Sequence, residues 1–263
     1  MGRILLLASA LATGALATGT ILSPAFPFWP TVAALAFDLA ILVASVMIPG
    51  LATFAPIVCW ADPGRQQVAL TFDDGPSPTS TPKLLAELAR HQARATFFVL
   101  GAKAERYPEI LRAIHAAGHE IGLHGQEHDR LLSLRHPRRI IADLERAQSI
   151  VGATIGQTAR LFRPPVGHVS PRTAAAARRL GLTVVGWSIR ARDGLAGARA
   201  DDVARRVVSR LRPGAIVLLH DASEREQFEP ASVAAIGPIL AAIAKQGLAC
   251  ATVSEALSAS ERP

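Results

Sequence analysis

The chain has 263 residues, half of them hydrophobic, with a formal charge of +7 and only two cysteines, Cys59 and Cys250. The cysteines stand far apart with no CxxC pair, so neither a disulfide framework nor a cysteine metal site follows. The positive charge is spread over arginines in helical segments rather than gathered in one run with aromatics between. Nucleic acid is therefore set aside as a partner in favour of a solvated basic surface, or one facing anionic lipid or glycan.

Residues 4–22 carry no charge, and Asp38 is the only charged residue between Thr31 and Ala61. The break "SPAFPFWP" separates two apolar helices, expected over 4–22 and 31–58, each near the roughly 20 residues that cross a bilayer. Trp29 and Trp60 bracket the second, where interfacial tryptophans belong. A signal peptide is the alternative for the first, since Arg3, an apolar run and "ALA" at 15–17 fit that pattern too. The second segment is too long for a signal remnant, so residues 1–61 are expected to form a membrane anchor, of the bacterial inner-membrane type. Arg3 is a lone vote on orientation, and the side of the membrane stays open, as does the oligomeric state.

From residue 62 to 263, the expected catalytic domain, short apolar strands alternate with amphipathic helices. Strands are predicted near 66–72, 95–100, 119–123, 159–163, 182–188, 214–219 and 248–253. Helices are predicted over 81–92, 102–117, 137–151, 170–180, 200–211 and 229–246. Seven strands alternating with helices imply an α/β fold with a parallel sheet, open or closed into a barrel.

The candidate chemistry falls at the C-terminal strand ends, where barrel enzymes build their sites. Asp73 and Asp74 follow the first strand, in "VALTFDDGPSP". Two adjacent carboxylates repel, and burying them unpartnered is costly, so a cation is the candidate partner, or else the pair caps a turn. His124 and His128, in "GLHGQEHD", are four apart, and one helical turn would put both imidazoles on one face as ligands for one divalent ion, or else the spacing is incidental. Arg163 in "LFRPPVG" suits orientation of a carboxylate, or else a surface ion pair. Asp193 in "WSIRARDG" trails the fifth strand among arginines, and a plain salt bridge would explain it equally well. His220, with Asp221 beside it, ends the apolar strand "IVLLHD" where acid–base work is possible, or else it is a hydrogen-bonded core histidine. His91, His115, His119, His136 and His168 read as surface or structural.

This set resembles the NodB-type polysaccharide deacetylases (carbohydrate esterase family 4). "TFDDGP" with "ATFFVLG" behind it, a histidine pair four apart, "RPPVG", a strand-end "RD" and "LLHD" occur in the family's order between Val68 and Val253. The resemblance implies a distorted (β/α) barrel, a zinc-type divalent ion and removal of N-acetyl, sometimes O-acetyl, groups from glycans. By resemblance Asp74, His124 and His128 are the metal ligands, Asp73 the general base and Arg163 its partner. His220 is then the general acid, Asp193 the group that tunes it, Leu218 the lining of the acetyl-methyl pocket and Val166 a backbone contact to the oxyanion.

Four positions depart from the family pattern. Gly125 stands where Ser or Thr is usual, Val166 where an aromatic is usual, and Arg190 and Gly194 where many members have Asp and Trp. No ligand or base position is lost. The expected activity is metal-dependent removal of N-acetyl groups from a polysaccharide, chitooligosaccharide or lipid-linked sugar. Two alternatives are hydrolysis of a non-sugar C–N bond, as in a ureide or formamide, and a catalytically dead glycan-binding membrane protein. Retention of Asp73, which a binder does not need, counts against the last.

Overall fold

The computed structural model describes residues 2–23 and 25–257. Met1, Pro24 (one proline of the expected break) and residues 258–263 (the end of the expected catalytic domain) lie outside the described residues. Two apolar helices open the chain, α1 (Gly2–Leu22) and α2 (Trp29–Met47), packed against each other. By length and composition both are able to cross a membrane. Asp38, the one acidic residue among them, has a partner: the Ser9 hydroxyl of α1 donates to its carboxylate on α2. Thr20 and Thr31 meet at 2.8 Å across the same pair.

The second apolar segment, expected as one helix over 31–58, is not one. It stops at Met47, makes a single turn of 3-10 helix over Pro49–Leu51, and enters the sheet as β1 (Ile57–Val58). Pro49, Gly50 and Pro56 account for this, because proline removes a donor and glycine lowers helix propensity.

The seven predicted strands all appear. In chain order they are β2 (Gln67–Asp73), β3 (Thr96–Val99), β4 (Glu120–Leu123), β5 (Leu161–Phe162), β6 (Thr183–Val185), β8 (Ile216–His220) and β9 (Ala249–Cys250). The predicted fifth strand breaks after Val185 and resumes as a separate β7 (Ile189–Arg190). Every named pairing is parallel, in the order β1-β6-β5-β4-β3-β2-β8-β7, with β9 pairing the start of β2.

That order requires curling. Laid flat, β6 and β7 would stand about 29 Å apart, six spacings of about 4.8 Å. The four-residue step from Val185 to Ile189 reaches no further than about 14 Å. The sheet is therefore bent until its two ends approach, giving the distorted barrel. Nearly continuous burial along β2 and β8 follows from cover on both faces.

The helices wrap this sheet: α3 (Thr81–Arg90), α4 (Gly101–Arg106), α5 (Pro108–Ala116), α6 (Pro137–Ile155), α7 (Pro171–Arg179), α8 (Ala200–Val208), α9 (Ser232–Lys245) and α10 (Val253–Leu257). The helix predicted over 102–117 is split in two, since Pro108 cannot continue α4 and instead opens α5. One large apolar cluster, with Phe72, Phe97, Leu111, Leu144, Phe162 and Ile239 fully buried, holds sheet and helices together.

Candidate active site

Parallel pairing of β2 with β8 puts Asp73 opposite His220, so the first and sixth predicted strands deliver their polar ends to one place. The loops after β4 and β5 reach the same rim. Asp73, Asp74, His124, His128, Val166, Leu218 and His220 line a single cavity of about 610 Å³. Arg163 and Asp193 lie beneath it, wholly buried, each holding a residue of the lining. All nine residues singled out in the sequence thus come together.

The histidine pair does so in a different way from that expected. His124 and His128 are not on a helix: β4 ends at Leu123, and 124–128 is a loop with Gly125 at φ +89° and His128 at φ +50°. The loop brings the two rings to 5.1 Å between centroids. The left-handed conformation at 125 explains a glycine there, and a Cβ would also stand 3.2 Å from the Asp143 carboxylate. That carboxylate steadies the loop by accepting from the Gln126 N–H at 2.9 Å.

The donor set suits a divalent cation. Asp74 Oδ1 lies 3.4 Å from the Nε2 atoms of both His124 and His128. It is buried and has no hydrogen-bond partner among the described residues. Ligand atoms about 2.0–2.2 Å from a tetrahedral ion stand roughly 3.3–3.6 Å apart, which the observed spacing matches. The far side of the His124 ring is held by a hydrogen bond and that of His128 faces a carboxylate, so that each Nε2 points inward. His124 Nδ1 is 2.7 Å from the Arg163 carbonyl, and His128 Nδ1 is 3.4 Å from Glu224 Oε1. Burial holds the His124 pKa below its ordinary value against the pull of Asp73 and Asp74, which keeps a lone pair for a ligand.

Beside this triad, Asp73 Oδ1 accepts from the Arg163 guanidinium at 2.7 Å. Arg163 also donates to Thr71 and to the Gly186 carbonyl, and stacks over Phe98. One oxygen of Asp73 is thereby tied down and the other faces the triad, 3.9 Å from His124 Nε2. Across the cavity Asp193 takes both the His220 backbone N–H, at 2.7 Å, and His220 Nδ1, at 3.1 Å. Burial works to lower the His220 pKa, but the Asp193 carboxylate outweighs it and raises the value to about 9.

Gly194 presses on that histidine. A Cβ there would stand 2.9 Å from His220 Nδ1, so no side chain fits without moving the ring. The apolar surface at this wall comes from Leu195, one residue on and exposed. Val166 occupies the left-handed region at φ +54°, an outlier for a β-branched residue of the kind that collects at functional sites.

Glu224 in the cavity lining and Lys103 behind it escaped the sequence reading, and Asp221 was read only as ending the sixth strand with His220. Glu224 braces His128 and is itself paired with Arg130, whose Nε donates to it at 3.0 Å. Asp221, next to His220, is fully buried and accepts from the Thr81 hydroxyl at 2.6 Å. Lys103 is buried with its ammonium on the Ser223 carbonyl. Their one sequence signal was position, just past a strand's C-terminal end or at the start of the helix after one.

Residues 61–185 match the family model described as polysaccharide deacetylase. A peptidoglycan-N-acetylglucosamine deacetylase of Bacillus cereus is 35% identical over 204 residues, covering 76% of this chain and 92% of the relative. A chitooligosaccharide deacetylase of Sinorhizobium fredii is 35% identical over 193 residues, covering 70% and 88%. Among solved structures, the Bc1960 peptidoglycan N-acetylglucosamine deacetylase, in complex with 4-naphthalen-1-yl-N-oxidanyl-benzamide, superposes with a TM-score of 0.71 at 29% identity. That match covers 78% of this chain and 94% of the other.

Proposed function

The chain belongs to the polysaccharide deacetylase family, and on that premise we propose that it hydrolyses the N-acetyl group of an amino-sugar glycan at the Asp74–His124–His128 site. It is a metal-dependent deacetylase, a hydrolase of C–N bonds in carbohydrates. The observation that carries the residue assignment is Asp74 Oδ1, buried, unpaired among the described residues and 3.4 Å from two imidazole nitrogens.

Asp74, His124 and His128 hold the cation, with zinc as the ion that best suits a carboxylate and two imidazoles. Such an ion polarises the acetyl carbonyl and makes a water acidic at neutral pH. Asp73, its Oδ1 fixed by Arg163, takes a proton from the attacking water at Oδ2. Leu218 receives the acetyl methyl, and the Val166 backbone N–H faces the developing oxyanion. His220, held at Nδ1 by Asp193, is protonated at neutral pH and gives its Nε2 proton to the departing amine. The amide C–N bond breaks, and acetate and a free amino sugar result.

The two apolar helices anchor the enzyme in a membrane, and the substrate is an N-acetylated glycan, polymeric or lipid-linked. The test is acetate release from N-acetylglucosamine oligomers by the full chain with zinc, then with a chelator. Chelator-sensitive acetate is expected. Stoichiometric bound metal with no acetate would transfer the chemistry to another C–N bond.

A further inference from the structure

The cavity mouth has more positive charge than its own residues use. Four arginines reach it from three separate segments: Arg130 after β4, Arg190 and Arg192 at and after β7, and Arg225 after β8. Arg130 is committed to Glu224. Among the described residues, no carboxylate stands within ion-pair distance of Arg190, Arg192 or Arg225, and all three are exposed. The acidic groups of the cavity are already engaged, Asp73 by Arg163, Asp74 by the metal triad and Glu224 by Arg130 and His128. Arg192 also sits in the left-handed region at φ +62°, a backbone cost accepted at the wall of the site.

We propose that the glycan this enzyme deacetylates carries a phosphate, bound at the mouth by Arg190, Arg192 and Arg225. The inference rests on the deacetylase reading and adds the substrate class to it. Three guanidiniums supply more N–H donors than a single carboxylate can accept, whereas a phosphate mono- or diphosphate takes several forked contacts at once.

The position of the anchor agrees. The Val169 N–H donates to the Val46 carbonyl at 3.0 Å, so the end of α2 is fastened three residues from Val166 in the cavity lining. A mouth fixed beside the end of a membrane helix lies where the phosphates of a lipid-linked sugar run. A soluble sugar phosphate offers the same chemistry.

The experiment uses the full zinc-loaded chain in zwitterionic micelles. It compares kcat/KM for N,N′-diacetylchitobiose, its 1-phosphate and its polyprenyl diphosphate conjugate, at about 50 mM and about 300 mM salt. A phosphate-bearing substrate is expected to gain about tenfold or more over the neutral disaccharide, with the gain shrinking in high salt. Combining Arg190→Gln, Arg192→Gln and Arg225→Gln should bring the ratio near one while bound zinc stays stoichiometric. Equal gain for both phosphates identifies the phosphate alone as the determinant, and a gain confined to the polyprenyl conjugate identifies a lipid-linked donor. A ratio near one in the native chain, or a preference that survives the triple substitution, overturns the inference and leaves the deacetylase intact. Acetate from none of the three would remove the deacetylase reading and the inference with it.

Discussion

The Arg163 guanidinium lies 2.7 Å from the Asp73 carboxylate, with both side chains out of water. Asp73→Asn keeps an acceptor for Arg163 but loses the proton-accepting charge. Turnover should fall about 10²- to 10⁴-fold, the usual worth of a general base. Bound metal, measured by elemental analysis, should stay at one per chain; retained turnover would remove the role given to Asp73.

Removing the cation should affect the fold as well as the rate. Asp74 Oδ1 is buried without another partner among the described residues, so the ion stabilises the native state alone. At a thousandfold excess over Kd this amounts to about 4 kcal/mol. For a chain of this size, chelation should lower Tm by roughly 8–16 °C. Asp74→Asn should show the lower Tm with no further response to chelator.

The His220 pair sets an alkaline limit. The Asp193 carboxylate, overcoming burial, raises His220 to about 9, so the acid form persists through neutrality and is lost above that value. Asp193→Asn removes the charge that raises it. The alkaline limb of the kcat/KM profile should then move to lower pH, with activity at pH 6 less affected than at pH 8. An unmoved limb would assign it to another group.

Gly194→Ala tests the close approach to the same ring. With a Cβ 2.9 Å from Nδ1, overpacking of about 1–3 kcal/mol is expected, relieved by a displaced His220. Activity should drop while zinc content is kept, and a normal rate would show that the ring has room.

Asp221 gives a stability signature distinct from catalysis. Burial, opposed by the Thr81 hydroxyl, raises its carboxyl from 3.8 to about 7. A carboxyl raised on folding holds its proton better in the native state. Its contribution is therefore greatest below about pH 4 and declines as pH rises through about 7. In urea titrations of the metal-free protein, Asp221→Asn should gain on the parent above pH 7 relative to pH 4.

The rim was legible because strand-end motifs carry both residue type and location. Asp73, Asp74, Arg163 and His220 each follow an apolar run that could be little other than strand, and Asp193 trails another by a few residues. The conformation of the histidine loop was not legible. Spacing of four suggests a helix, while Gly125 and His128 take left-handed angles that only the surrounding loop fixes. The roles of Glu224 and Asp221 were not legible either, since their neighbours in space, His128 in the loop after β4 and Thr81 at the start of α3, are far away in the chain. The limit of α2 was missed for a related reason. Ile57 and Val58 are as apolar as a membrane segment, and only their pairing with Val184 and Val185 reveals them as strand.

That two-residue strand governs how the enzyme can be handled. β1 covers the outer side of β6, while β7, equally short, ends the opposite side with Arg190. A chain trimmed at Asp62 to remove the anchor would leave β6 with unpaired backbone groups beside Val184 and Val185, a template for intermolecular strand addition. Trimming after Met47 and before Ile57 keeps the border intact, and should separate a monodisperse protein from one that self-associates.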